Sequence, residues 1–337
     1  MDITTGIWVA TIAGIVGLVA LDFLTASSKP HDVEFREAAL WSIFYIVVAV
    51  AFGAGVWAVA GSDFGTQYFA AYLVEKSLSV DNLFVFVIIL TQFAVPSIYH
   101  QRVLLVGVVL ALIFRAIFIA IGAAALAAFA FTFVIFGAIL IWTGIGLLRH
   151  RNEDPNPEDN AVVRVVRKIV PVTDEYDGAK LFTRIDGKRV ATPLFLVMIA
   201  IGSTDLLFAL DSIPATFGVT QEPYLVFTAN AFALLGLRAL YFLLKGLLDK
   251  LVYLSLGLSI ILIFIGVKLI LLWAHELNPV FPKIPTNVSL LVILGILVVT
   301  ALASWAAVRR DPSLTAHAGT VTAPKRDHSD DSREAKD

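Results

Sequence analysis

The chain has no cysteine among its 337 residues. That excludes disulfides, thiolate metal sites and thiol redox chemistry, so any metal must bind oxygen or imidazole. Charge is scarce as well. Asp, Glu, Lys and Arg make up 15% of the chain against 58% hydrophobic residues, and mean hydropathy is +0.85. These values describe a polytopic membrane protein rather than a soluble domain with an anchor. The first apolar run, Gly6 to Leu24, has no basic leader and no small-residue cleavage pattern, so it is expected to stay as a helix. No Ser-His-Asp or HExxH arrangement is present, and nothing points to an enzyme.

What is there is a set of apolar runs, each near the ~20 residues needed to cross a bilayer. The fold class expected is all-α polytopic, with nine spans at about 7–25, 40–60, 67–93, 103–122, 126–148, 192–215, 225–245, 251–273 and 287–308. Lys29, Arg36, Arg102, Arg149, Arg151, Lys245, Lys250, Arg309 and Arg310 fall on one side, with Lys283 the main exception. The positive-inside rule then puts the amino terminus outside and the carboxyl terminus in the cytoplasm of a multi-pass cell-membrane protein. The loop 150–191 is the sizeable soluble piece. Within it, Val162 to Val170 reads as a short amphipathic segment and Leu181 to Ala191 as a hairpin around Asp186-Gly187. Pro193 suits the first turn of the sixth span. The tail from Asp311 is polar and expected to be disordered.

Two spans are not uniformly apolar. Residues 75–86 read EKSLSVDNLFVF and residues 203–215 read STDLLFALDSIPA. A charge at the bilayer centre costs at least ~2.5–3.5 kcal/mol on insertion scales, so intramembrane acids are functional candidates by default. The two stretches resemble each other, and Arg115 and Arg238 follow Asp81 and Asp205 at nearly equal distance. Gly137 and Gly146 likewise match Gly257 and Gly266. Spans 3–5 therefore read as repeated in spans 6–8 with opposite direction, an inverted 3+3 repeat of the kind that places substrate near the midplane. The organisation expected is two amino-terminal helices (1–66), a first repeat (67–149), the cytoplasmic loop (150–191), a second repeat (192–273), a last helix (274–310) and the tail (311–337).

Carboxylates, a carboxamide and hydroxyls are hard ligands that suit Mn²⁺, Mg²⁺ or Ca²⁺ better than Cu or Zn. On an ideal helix Glu75, Ser79 and Asn82 share a face, and Asp81 points about 120° away from Glu75. Asp205 and Ser212 share a face with Asp211 off it, and Pro214 is expected to loosen the end of that helix. With the repeat taken literally, Asp81 and Asp205 form a central pair. Glu75 and Asp211 then form an outer pair roughly 9 Å toward the outside. Arg115 and Arg238 are expected mainly to pair with acids. Lys268 is expected to snorkel to the outer surface, and every histidine to be solvated at the surface.

The stretches 75–86, 191–220 and 227–244 together resemble the TerC family of integral membrane proteins, named for tellurium resistance. The resemblance covers about 40 to 275. It implies a bundle around two acidic helices and a role in metal-ion homeostasis, with manganese export foremost. The residues that carry it are Glu75, Asp81 and Asn82 in the first motif and Asp205 and Asp211 in the second. Gly202 stands where many members carry Glu. The metal-site expectation is thus Asp81, Asp205, Asn82, Glu75 and Asp211, supported by Ser79, Ser203, Ser212, Arg115 and Arg238. The function expected is export of a divalent cation, foremost Mn²⁺, with no tightly bound cofactor, protons as candidate coupling ion and no nucleic acid. The alternative is a membrane scaffold, working with secretory machinery, that supports metalation of secreted proteins or tellurite resistance without flux of its own.

Overall fold

Long apolar sequences with few helix breakers form helices in lipid because each backbone group must be satisfied within its own segment. The computed structural model describes residues 3–27, 34–151, 160–185, 187–244, 250–311, 314 and 317. At Asp81 it describes the backbone alone. The elements are α1 (Thr5–Ser27), α2 (Phe35–Ala60), α3 (Ser62–Gln92), α4 (Ser97–Ala128), α5 (Thr132–Arg149), α6 (Ala161–Ile169), β1 (Phe182–Ile185), β2 (Lys188–Ala191), α7 (Pro193–Val219), α8 (Pro223–Leu234), α9 (Leu237–Leu244), α10 (Leu254–Leu277) and α11 (Thr286–Arg310).

Each of the nine expected spans coincides with a helix or a helix pair. Seven helices are long and apolar enough to cross a membrane, and the bent pair α8–α9 makes an eighth. The remaining one, α3, has the length but carries Asp63, Glu75, Lys76 and Asp81. Isoleucines 113, 117 and 121 on α4 and Leu291, Val298 and Leu302 on α11 are exposed, as lipid-facing residues are. The chain is an integral multi-pass membrane protein.

The seventh span differs from expectation. It is not one helix: it breaks at Leu235–Gly236 and bends by 40°. Gly236 adopts φ +79°, and a Cβ there would come within 2.8 Å of Tyr45 Cβ. Only glycine fits both the left-handed backbone and the close approach of α2. The break leaves the Ala233 carbonyl to a side chain, and Lys76 Nζ donates to it at 3.2 Å. By contrast α7 runs through Pro214 to Val219 without a break, so the expected loosening does not end the helix.

α5 lies along α10 at close range. A Cβ on Gly137 would meet the Gly266 carbonyl oxygen at 2.7 Å, and a Cβ on Gly266 would meet the Gly137 oxygen at 2.7 Å. Gly144 meets the Ser259 carbonyl in the same way. The register falls on α10 as it rises on α5, so the two helices are antiparallel. A two-fold axis relating the repeats requires such a contact at this one place, but the inverted repeat as a whole is not established by it.

In the loop, the hairpin forms as read: β1 pairs antiparallel with β2, Phe182 opposite Ala191 and Ile185 opposite Lys188. Asp186 lies outside the described residues, as does most of the tail. α6 is the amphipathic segment. Its N-cap Asn160 accepts from Val162 and Val163 amides and donates to Ser203 Oγ at 2.9 Å, which ties α6 to α7.

Candidate metal path at the Arg115 cluster

Hydrogen bonds between α3 and α7 fix their relative direction. Thr220 Oγ1 donates to Gln67 Oε1 at 2.6 Å, and Thr216 Oγ1 donates to Glu75 Oε1 at 2.7 Å. As numbers rise on α3 they fall on α7, so the two motif helices are antiparallel neighbours. The faces expected from helical geometry are the ones turned inward. Glu75, Ser79 and Asn82 on α3 and Asp205, Ser212 and Thr216 on α7 are all buried, while Asp211 is half-buried.

Arg115 enters this interface from α4 and is 1% exposed. Its Nη1 donates to Glu75 Oε2 at 2.7 Å. Its Nε and Nη2 reach Asp205 Oδ2 and Oδ1, each at 3.4 Å. The amide of Asn82 belongs with its oxygen toward the guanidinium, accepting from Nη2 at 3.1 Å while its nitrogen donates to Leu78 O at 3.0 Å. Asp211 lies within Coulombic range of Arg115 and Glu75. The Glu75 contact is a short charge-assisted bond; the two to Asp205 are at the long limit and weaker. Arg115 thus bridges an acid of the expected outer pair and one of the expected central pair.

Between these contacts lie hydroxyls with no partner among the described residues. Ser79 follows Glu75 by one turn and Ser212 precedes Thr216 by one turn, so the two face each other's level. Both Oγ atoms are buried and unbonded. Asn230 Nδ2 on α8, which packs along α3, is also buried and unbonded. Unsatisfied buried polar atoms are costly and mark places where water or an ion completes the bonding. Among the described residues, no three acidic or imidazole groups are arranged to hold one metal ion. The side chain of Asp81, the fourth acid expected here, lies outside the described residues.

Two expected residues fall elsewhere. Ser203 donates to the carbonyls of Ile199 and Ala200 and accepts from Asn160, so it belongs to the α6 contact. Arg238 is in a second buried cluster. It donates to Asp22 Oδ1 at 2.6 Å and to Gln101 Oε1 at 3.3 Å. Arg115 and Arg238 therefore have unlike partners, and Asp22 comes from outside both repeats. Asp22 escaped sequence reasoning, although an aspartate inside an apolar span is itself the signal. Thr216 and Gln67 escaped it because hydroxyls and amides are common in helix interfaces.

Two readings are corrected. His100 is not solvated: it is 6% exposed, with Nε2 bonded to Val95 O at 2.9 Å and Nδ1 to Tyr241 Oη at 3.1 Å. Its place at a span end suggested the surface, but the amino-terminal end of α4 is covered by α9. Lys268 does not reach out to the surface; it is 7% exposed and lines a cavity at the end of α7.

The model of the integral membrane protein TerC family matches residues 60–312. An uncharacterized membrane protein of Myxococcus xanthus is 43% identical over 316 residues, 94% of this chain and 97% of its own length. One from Mycobacterium tuberculosis strain H37Rv is 43% identical over 326 residues, 93% of this chain and 82% of its own. Alx of Escherichia coli K12, for which a role as membrane-bound redox modulator is proposed in its name, is 37% identical over 305 residues, 87% of this chain and 92% of its own. No solved structure matches the chain. With the family pattern spanning both acidic helices and relatives aligned along nearly the whole length, the chain belongs to the TerC family of integral membrane proteins.

Proposed function

We propose that this protein exports a divalent metal cation, foremost Mn²⁺, through the interface of α3, α4 and α7. The observation that carries the reading is the Arg115 guanidinium held by Glu75, Asp205 and Asn82. Three of the residues expected to hold a metal converge on a positive charge at that place. Glu75, Asp205 and Asp211 outnumber the one guanidinium, so the cluster favours additional positive charge, and its donors are all hard oxygens.

Arg115 acts as a resident counter-charge. The loosely held Asp205, with the free hydroxyls of Ser79 and Ser212, is the part of the cluster a cation can take over. Asp81, on the same helix, is the further ligand expected from the sequence, and protons are the coupling ion. The break between α8 and α9 supports the same reading, since discontinuous helices beside the site recur in secondary transporters. The amino terminus is outside and the protein is not an enzyme. A redox effect like that proposed for the relative would act here through the metal moved, since the chain has no thiol.

The test is flux. Purified protein in liposomes carrying a Mn²⁺-sensitive dye should move Mn²⁺ above empty liposomes, and Asp81→Asn or Asp205→Asn should abolish it. Absence of divalent flux from folded wild-type protein would overturn the reading.

A further inference from the structure

A cavity of about 250 Å³ opens where α7 ends, beyond the acidic cluster. Gln67 and Thr220, bonded to each other, line it one turn past the Glu75–Thr216 bond. Its charges are two lysines, Lys268 from α10 and Lys283 from the segment before α11, against one carboxylate, Glu222. Lys268 is 7% exposed, yet no described residue offers its ammonium a hydrogen bond or an ion pair. A second cation, Lys283, lies within Coulombic range of it. The stem is buried, and the ammonium, which is not fully enclosed, is left to what fills the cavity. Pro285 and Thr286 also line the cavity, so α11 begins there; its N-cap Pro285 offers no side-chain acceptor, and of the first-turn amides Val288 N–H is taken by Asn287 Oδ1 at 2.9 Å. Free N–H groups at a helix start attract anions.

We propose that this cavity binds a small oxyanion group, phosphate or sulfate, between Lys268, Lys283 and the start of α11. A free ion and a lipid headgroup carry the same chemistry. The site stands independently of transport. One consequence rests on the export reading: a cation leaving past Thr216 and Thr220 meets two positive charges when the site is bare and a compensated field when it is filled.

The experiment measures binding, not flux. Detergent-purified wild type is titrated with sodium phosphate, sodium sulfate and, at matched ionic strength, sodium chloride, with thermal unfolding as readout. Phosphate or sulfate should stabilise saturably and chloride should not. Lys268→Met should weaken the response at least ~10-fold, the size of one lost charge-assisted bond. Lys268→Arg should retain it, and Lys283→Met should weaken it. These two variants carry the test if Lys268→Met does not fold. Nanodiscs separate the sources. If the occupant is an anionic lipid headgroup, phosphatidylglycerol discs suppress the response to free phosphate, and zwitterionic phosphatidylcholine discs, whose choline offsets the phosphate charge, preserve it. If it is a free ion, both preserve it. The proposal falls if phosphate and sulfate act no differently from chloride in detergent and in phosphatidylcholine, or if the Lys268 and Lys283 variants respond as wild type does.

Discussion

Replacing Arg115 with Met removes the single positive charge from a buried acidic cluster and nearly preserves volume. Glu75 loses a 2.7 Å partner, Asp205 loses two contacts at 3.4 Å, and Asn82 loses one at 3.1 Å. Removing one partner of a buried ion pair costs about 3–5 kcal/mol, because the other is left uncompensated. The upper part of that range fits here, since two carboxylates are abandoned at once. A divalent cation can replace the guanidinium. At ~100 times its Kd it would return about 2.7 kcal/mol to the folded state. Arg115→Met should therefore be strongly destabilised in chelator and largely rescued by MnCl₂, while wild type gains less. Adding Glu75→Gln or Asp205→Asn to Arg115→Met should reduce both the initial loss and the rescue. Unfolding in detergent, with MnCl₂, MgCl₂ or choline chloride at equal ionic strength, reads both effects. A loss under ~1 kcal/mol, the scale of an exposed pair, would refute the claim that Arg115 neutralises the cluster. A Mn²⁺ shift equal to that of wild type would refute the claim that these carboxylates bind metal.

Gly236→Ala should destabilise by more than the ~1 kcal/mol of an ordinary glycine replacement, because it adds a Cβ at positive φ against Tyr45. Unfolding in detergent would read the loss. In the loop, Asp177 accepts from Thr183 at 2.7 Å and pairs with Lys180 at 3.0 Å, which holds its carboxyl below the usual aspartate range. Its contribution to hairpin order is thus present above a pH of ~3.9 and is lost as pH falls through the lowered folded value. Amide exchange across 182–191 should speed up in that acid window in wild type and be flat there in Asp177→Asn.

Helix positions were legible because lipid imposes length and apolarity on each span, and the nine runs all became helical. The faces of the motif helices were legible too: Glu75, Ser79 and Asn82 are buried together as a spacing of one turn dictates. Partner choice was not. Nothing in the local sequence says that Arg238 meets Asp22 rather than a motif acid, because that depends on how α1 packs against α4 and α8. The break at Gly236 hid inside LLGLRAL, since a glycine in an apolar run is usually a packing residue and its φ is set by how closely Tyr45 approaches. His100 and Lys268 misled for the same reason. Distance from a span end predicts depth along one helix but not what neighbouring helices cover.

The pair Glu75-Lys76 shows how the first motif joins four helices. Adjacent residues on a helix point about 100° apart, so they do not serve each other. Glu75 faces α4 and α7, where it binds Arg115 and Thr216. Lys76 faces α8, where it holds the Ala233 carbonyl that the broken span leaves without a helical donor. In hydrocarbon a released carbonyl must find a partner within the protein. Lys76 is that partner, and its charge goes to backbone rather than to the acidic cluster. Among the described residues, Arg115 is then the one guanidinium that meets Glu75 and Asp205. The pair also joins the two features expected of a transport path. Lys76 holds the α8–α9 break, and the neighbouring Glu75 makes the shortest bond to Arg115.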